Sequence, residues 1–133
     1  MKLLIASDIH GSAYWCSKLM DAYQNEKADR MILLGDILYH GPRNALPKEY
    51  DPQRVCDLLN QISDRILCVR GNCDADVDQW LIHFPIMADY SWIMEKDRVI
   101  YLTRFQKRRK LSAASKERCG AFRSYTYSDH RTD

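Results

Sequence analysis

Three short apolar runs punctuate the first half of this chain, at positions 3–6, 31–34 and 66–69. Each has the length of a buried strand rather than a helix. Between the first two, Trp15, Leu19 and Tyr23 fall at i, i+4 and i+8. That spacing predicts a helix over 12–25 with these three in its buried stripe and Ser12 as its cap. Positions 37–50 carry turn residues, His40-Gly41-Pro42-Arg43-Asn44 among them, and predict a loop. Asp51 and Pro52 open a second helix as N-cap and first helical residue, with Val55, Leu58, Leu59 and Ile62 on its apolar face. The order strand, helix, strand, loop, helix, strand implies a parallel sheet with right-handed crossovers. Further on, strand-like stretches at 86–94 and 98–102 flank Glu95-Lys96-Asp97, which predicts an antiparallel hairpin leading into a second sheet. His83, among Leu81, Ile82 and Phe84, reads as a structural histidine.

Polar residues follow each apolar run. The first leads into Ser7-Asp8-Ile9-His10-Gly11, the second into Gly35-Asp36, the third into Arg70-Gly71-Asn72-Cys73-Asp74. Sites in open α/β sheets lie outside the carboxyl ends of the strands. Asp8 and His10 are two apart, so in an extended segment they point the same way. A carboxylate and an imidazole on one side of a strand end make half of a divalent metal site.

Composition narrows the setting. At 133 residues and 46% hydrophobic content the chain is one domain at most, with a modest core. Lys2 is followed by only four apolar residues before Ser7, so no secretion leader is expected, and no run approaches a membrane span. The five cysteines, Cys16, Cys56, Cys68, Cys73 and Cys119, are scattered and never in CxxC spacing. That argues against a disulfide framework or a zinc ribbon and suits a reducing cytoplasm. The net charge of +2 hides an asymmetry. Residues 1–103 carry 11 Lys/Arg against 15 Asp/Glu, and residues 104–133 carry 9 against 3. A shift that sharp marks a boundary.

The ordered set Asp8-x-His10, Gly35-Asp36 and Gly71-Asn72-x-Asp74, each after its own strand, resembles the calcineurin-like metallophosphoesterases. The stretch from Asp36 through His40-Gly41-Pro42-Arg43-Asn44 to Pro47 narrows the resemblance to the YfcE-type small bacterial phosphodiesterases. It covers residues 1–103. The resemblance implies an α/β fold, the N-terminal half of a four-layer α/β/β/α sandwich. It also implies two divalent ions, Mn²⁺ being the best guess, that hold a phosphodiester between them and activate a bridging hydroxide. Carried over residue by residue, Asp8 and His10 bind the first metal, Asp36 bridges, and Asn72 binds the second through its amide oxygen. Cys73 stands where many members have a histidine that protects or protonates the leaving group; a thiol is a poor substitute at neutral pH. Asp74 orients a ligand. Arg43 and Asn44 are candidates for contacting the phosphate, the alternative being an ordinary surface turn.

The resemblance then stops. Three further histidines are required, one after a strand and two as Gly-His-x-His. After Val99-Ile-Tyr-Leu-Thr103 comes Arg104, and no Gly-His-x-His exists. The second metal keeps only Asp36 and Asn72, and half-built sites bind metal weakly. Residues 104–133 are expected to be a basic, poorly packed non-family tail. A frame-shifted translation would explain it. One set of codons compatible with Arg123-Ser-Tyr-Thr-Tyr-Ser128, CGG-TCA-TAC-ACA-TAT-TCC, would read Gly-His-Thr-His-Ile-Pro one base forward when followed by G, the first base of any Asp codon, as for Asp129. The expectation is therefore a phosphodiesterase whose present chain is truncated and impaired, with an uncovered sheet face that promotes aggregation. It acts on a small-molecule phosphodiester, with no membrane or nucleic-acid partner expected and a homo-oligomer left open. The alternative is a non-catalytic α/β binding module with a basic tail contacting nucleic acid. A haloacid-dehalogenase-type phosphatase needs Asp-x-Asp where this chain has Asp8-x-His10.

Overall fold

The structure is a computed structural model that describes residues 1–104. Strands β1 (Leu3–Ala6), β2 (Arg30–Leu33) and β3 (Ile66–Cys68) form a parallel sheet in the order β1-β2-β3. Helix α1 (Ala13–Asn25) crosses from β1 to β2, and α2 (Pro52–Asn60) precedes β3. Strands β4 (Tyr90–Glu95) and β5 (Arg98–Thr103) pair antiparallel as a separate hairpin.

Side-chain alternation along the strands divides the interior into two apolar layers. Leu4, Ala6, Met31, Leu33, Ile66 and Cys68 face the helices, where they meet Cys16, Leu19, Val55 and Leu59. Leu3, Ile5, Ile32, Leu67 and Val69 face the other way, against Ile93, Ile100 and Leu102 of the hairpin. The described residues therefore build three layers, α/β/β. Both faces of the parallel sheet are covered, as continuous apolar runs require.

Both helix starts follow from their residues. The Ser12 hydroxyl accepts the Trp15 N–H at 3.2 Å, and Asp51 accepts the Arg54 N–H at 3.0 Å ahead of Pro52. Of the expected stripe of α1, Leu19 is buried and Tyr23 packs against the core, but Trp15 is 49% exposed and stacks edge-on against Tyr14, and Cys16 and Met20 are buried instead. Small Cys16 lets α1 lie close to Cys56 of α2, a fit that Trp15 could not make.

The expected strand over 86–94 begins only at Tyr90. The preceding segment is held by a side chain instead of a ladder. Gln79 donates to the carbonyls of Ile82 and Phe84 at 3.0 and 2.9 Å and accepts the Ile86 N–H at 2.9 Å. This tucks Ile82, Phe84 and Ile86 into the helix-side core. His83 is exposed there, its backbone N–H bonded to Asn60. The outer face of the hairpin is apolar and uncovered among the described residues: Tyr90, Trp92, Met94, Val99 and Tyr101 are all exposed. No described helix is long and apolar enough to cross a membrane. The expectations for the basic tail beyond Arg104, Cys119 included, lie outside the described residues.

Candidate metal centre

Beyond the strand ends, the first two loops continue the parallel pairing. The N–H groups of Asp8, His10 and Gly11 donate to the carbonyls of Gly35, Asp36 and Ile37 at 3.1, 2.9 and 2.8 Å. The zipper requires an unusual backbone. Asp8, His10 and Asp36 all have positive φ, at 61, 51 and 57°. Left-handed conformations cost non-glycine residues free energy and concentrate at functional sites.

The third loop closes onto the second at two glycines. A Cβ on Gly35 would run into the Gly71 backbone, and one on Gly71 into the Asp36 carboxylate. With both positions bare, Asp36 reaches across: its Oδ1 accepts the Cys73 N–H at 2.8 Å. Asp74, almost fully buried, lies behind the contact and accepts the N–H groups of Asp36, Ile37 and Gly71. Its carboxylate is engaged with backbone rather than with the site itself.

Four side chains converge at the mouth of these loops. His10 Nδ1 lies 2.7 Å from the Tyr39 carbonyl and donates its N–H there, which leaves Nε2 facing the site. That Nε2 stands 3.2 Å from Asp8 Oδ1 and 3.8 Å from Asp36 Oδ2. An imidazole nitrogen beside two carboxylate oxygens is a set of donors suited to a cation. The cation present is the guanidinium of Arg104, the residue after β5. Its Nη1 donates to Asp8 Oδ2 at 2.6 Å. Its Nη2 donates to Asp8 Oδ1 and Asp36 Oδ2, both at 2.7 Å, and approaches Asn72 Oδ1 at 3.4 Å. One nitrogen thus marks a point reached by oxygen ligands from three separate loops.

The protonation pattern follows. Burial alone would raise the Asp8 carboxyl, but hydrogen bonds from Arg104 and Ser7, with the charges of Arg104 and His10, outweigh it and hold the carboxyl at about 2. Asp36 moves the other way: it is 1% exposed, and its burial outweighs the Cys73 N–H and the charge of Arg104. The Asp8 hydrogen bond pulls Arg104 above its already high value. Burial, then the neighbouring Asp36 and Asp74, pushes the Cys73 thiol up.

The donor set fits a divalent cation. Two carboxylates, an imidazole and an amide oxygen surround a position that already holds positive charge. The sequence brought Asp8, His10, Asp36 and Asn72 forward, and the structure gathers all four. Cys73, expected at the leaving-group position, has its thiol in a cluster with His10 and Asp36 whose ligand atoms lie within 4.8 Å of one another. Asn44 is tied into its own loop, donating to the His40 carbonyl at 2.9 Å, and Arg43 is exposed beside it. That loop abuts the centre through Gly41, whose Cβ position lies 3.6 Å from Cys73 Sγ. Sequence reasoning missed the contact of Arg104 with the carboxylates. The signal was its place at the carboxyl end of a strand-like run, where the other three runs place ligands.

The chain belongs to the calcineurin-like phosphoesterase family, whose sequence profile matches residues 1–129. It is 44% identical over 103 residues to phosphodiesterase YfcE of Escherichia coli strain K12, an alignment covering 77% of this chain and 56% of that protein. The protein of the same name from E. coli O157:H7 matches to the same extent. The solved structure of YfcE, described as a phosphoesterase from E. coli, superposes with a TM-score of 0.76 at 44% identity, covering 77% of this chain and 57% of its own. The chain spans about half the length of the curated relatives it matches.

Proposed function

We propose that this chain carries the metal-binding core of a phosphodiesterase acting on small-molecule phosphodiesters, through Asp8, His10, Asp36 and Asn72. The observation that carries this reading is the convergence of these four side chains on one point that already holds a cationic nitrogen. Mn²⁺ suits a mixed set of carboxylate, imidazole and amide oxygen. When bound, divalent metal supplies Lewis-acid stabilisation of the charge that develops on the phosphoryl oxygens.

The chain's own residues divide the remaining work. Asp36, anchored from behind by Asp74 and from the side by the Cys73 N–H, is the ligand two ions would share. His10 is locked in one tautomer by the Tyr39 carbonyl. Asp74 acts through Asp36 and Gly71, holding both loops in place. Cys73 faces the site with a thiol that resists ionisation, a poor proton donor to a leaving group. Diesters with good leaving groups are therefore the preferred substrates. Arg43 and Asn44 sit on the loop beside Cys73 and are proposed to contact the phosphate.

Only two of these residues, Asp36 and Asn72, serve the second ion, so activity is proposed to be low in this chain. The four described cysteines are unpaired, which supports a reducing, cytoplasmic setting. The test is hydrolysis of bis(p-nitrophenyl) phosphate with and without Mn²⁺. Metal-dependent release of nitrophenol that disappears in Asp36→Ala supports the proposal. Release indifferent to both metal and Asp36 overturns it.

A further inference from the structure

We propose that Arg104 is a built-in cation that occupies the metal position and must leave before a divalent ion can bind. The inference rests on the metal-site reading above and deepens it. Its basis is the place of the guanidinium. Nη2 lies 2.7 Å from Asp8 Oδ1 and 2.7 Å from Asp36 Oδ2, the same two oxygens that stand 3.2 and 3.8 Å from His10 Nε2. A divalent ion held by those same two oxygens sits about 2.1 Å from each. It would therefore overlap the volume of Nη2, and the two cations are mutually exclusive.

The contact is also anchored as a specific one. Both nitrogens of the fork are used on Asp8, the planar geometry in which guanidinium and carboxylate match best. The first nitrogen also approaches the Leu34 carbonyl at 3.4 Å. The arginine side chain is 20% exposed, so the pairing is partly withdrawn from water, where charge-assisted hydrogen bonds are strongest. Arg104 follows β5, whose Leu102 is packed into the sheet-side core, so the backbone delivers the side chain to the site. Expelling Arg104 couples metal binding to the end of β5. In the absence of metal, the same side chain neutralises a pair of carboxylates that would otherwise repel across the loop junction.

The experiment is titration of the full chain with Mn²⁺, followed by calorimetry and by thermal unfolding, in the parent and in Arg104→Ala, Arg104→Gln and Asp36→Ala. Arg104→Gln keeps the length and polarity of the side chain and guards against simple loss of folding in Arg104→Ala. The expected result is that both Arg104 variants bind Mn²⁺ about tenfold or more tightly than the parent. They should also melt lower than the parent without metal and recover when Mn²⁺ is added. If Arg104 variants and parent bind Mn²⁺ equally, and Asp36→Ala does not bind it, displacement is overturned while the metal site stands. If no variant binds Mn²⁺, both the site and the displacement are overturned.

Discussion

Asp74 is a buried brace for Asp36: the Oδ2 atom of Asp74 accepts the Asp36 N–H at 2.9 Å and the Gly71 N–H at 2.7 Å. Its Oδ1 takes the Ile37 N–H at 3.0 Å. One carboxylate thus ties the second and third loops together beneath the proposed metal position. Asp74→Ala strands three buried donors and is expected to cost about 3–5 kcal/mol in urea unfolding. Asp74→Asn is expected to do nearly as badly. Its amide places N–H groups against N–H groups at one of the two oxygen positions. An Asn variant as stable as the parent would show that shape, not charge, carries the brace.

The approach of Gly71 to Asp36 makes a second prediction. Gly71 does not have positive φ, so alanine there imposes a collision without backbone strain. Its Cβ would meet both the carboxylate and the backbone nitrogen of Asp36, so Gly71→Ala is expected to force the two loops apart and lower Mn²⁺ affinity at least tenfold, measured by calorimetry. Unchanged affinity would mean that the two loops can separate freely.

Alkaline pH tests the helix-side core. Burial pushes the Cys16 and Cys68 thiols from an ordinary 9.0 up to about 12, and Cys56 up to about 11. Above pH 9 the unfolded chain releases these protons while the folded chain keeps them, so the folded state binds more protons and stability falls as pH rises. Below pH 9 the thiols cost nothing; between about 9 and about 12 Cys16 and Cys68 each lower stability by up to about 1.4 kcal/mol per pH unit, and Cys56 adds a smaller loss that ends near 11. Unfolding free energies measured from pH 8 upward should decline, and less steeply in Cys16→Ala. Parallel slopes for parent and variant would count against a buried neutral thiol.

The hairpin's outer face should govern solution behaviour. Trp92 and Tyr101 are directly paired across β4 and β5 and both point outward, 54% and 73% exposed. With Tyr90, Met94 and Val99 they form a contiguous apolar surface of the kind that drives association. Sedimentation should show self-association that Trp92→Thr with Tyr101→Thr reduces, without a change in Mn²⁺ affinity. A parent chain that is monomeric and binds no hydrophobic dye would contradict this.

Much of this was legible in sequence because its signals are local. The strands beneath Asp8 and Asp36 are continuous apolar runs that read the same in any context. Ser12 and Asp51-Pro52 announce their helices through capping chemistry. Other features depend on tertiary contacts. Trp15 has the spacing of a core residue, yet the closeness of the two helices favours small Cys16 at the interface. Ile86 looks like the start of a strand but is held in place by Gln79, seven residues earlier. Asp74 could be read as a supporting residue, yet its three backbone partners lie in two different loops. Arg104 was visible as a departure from the expected histidine. That it would reach three ligands at once, from 32 to 96 residues away in sequence, follows only from the folded geometry.

The central claim is that Asp8, His10, Asp36 and Asn72 together hold a divalent ion at the point now taken by Arg104. The most direct measurement is anomalous diffraction from crystals of this chain grown with Mn²⁺. The account predicts a peak within coordination distance of Asp8, His10 and Asp36, with the guanidinium of Arg104 withdrawn from both carboxylates. A site without a peak, with Arg104 still forked onto Asp8 at saturating Mn²⁺, would contradict it.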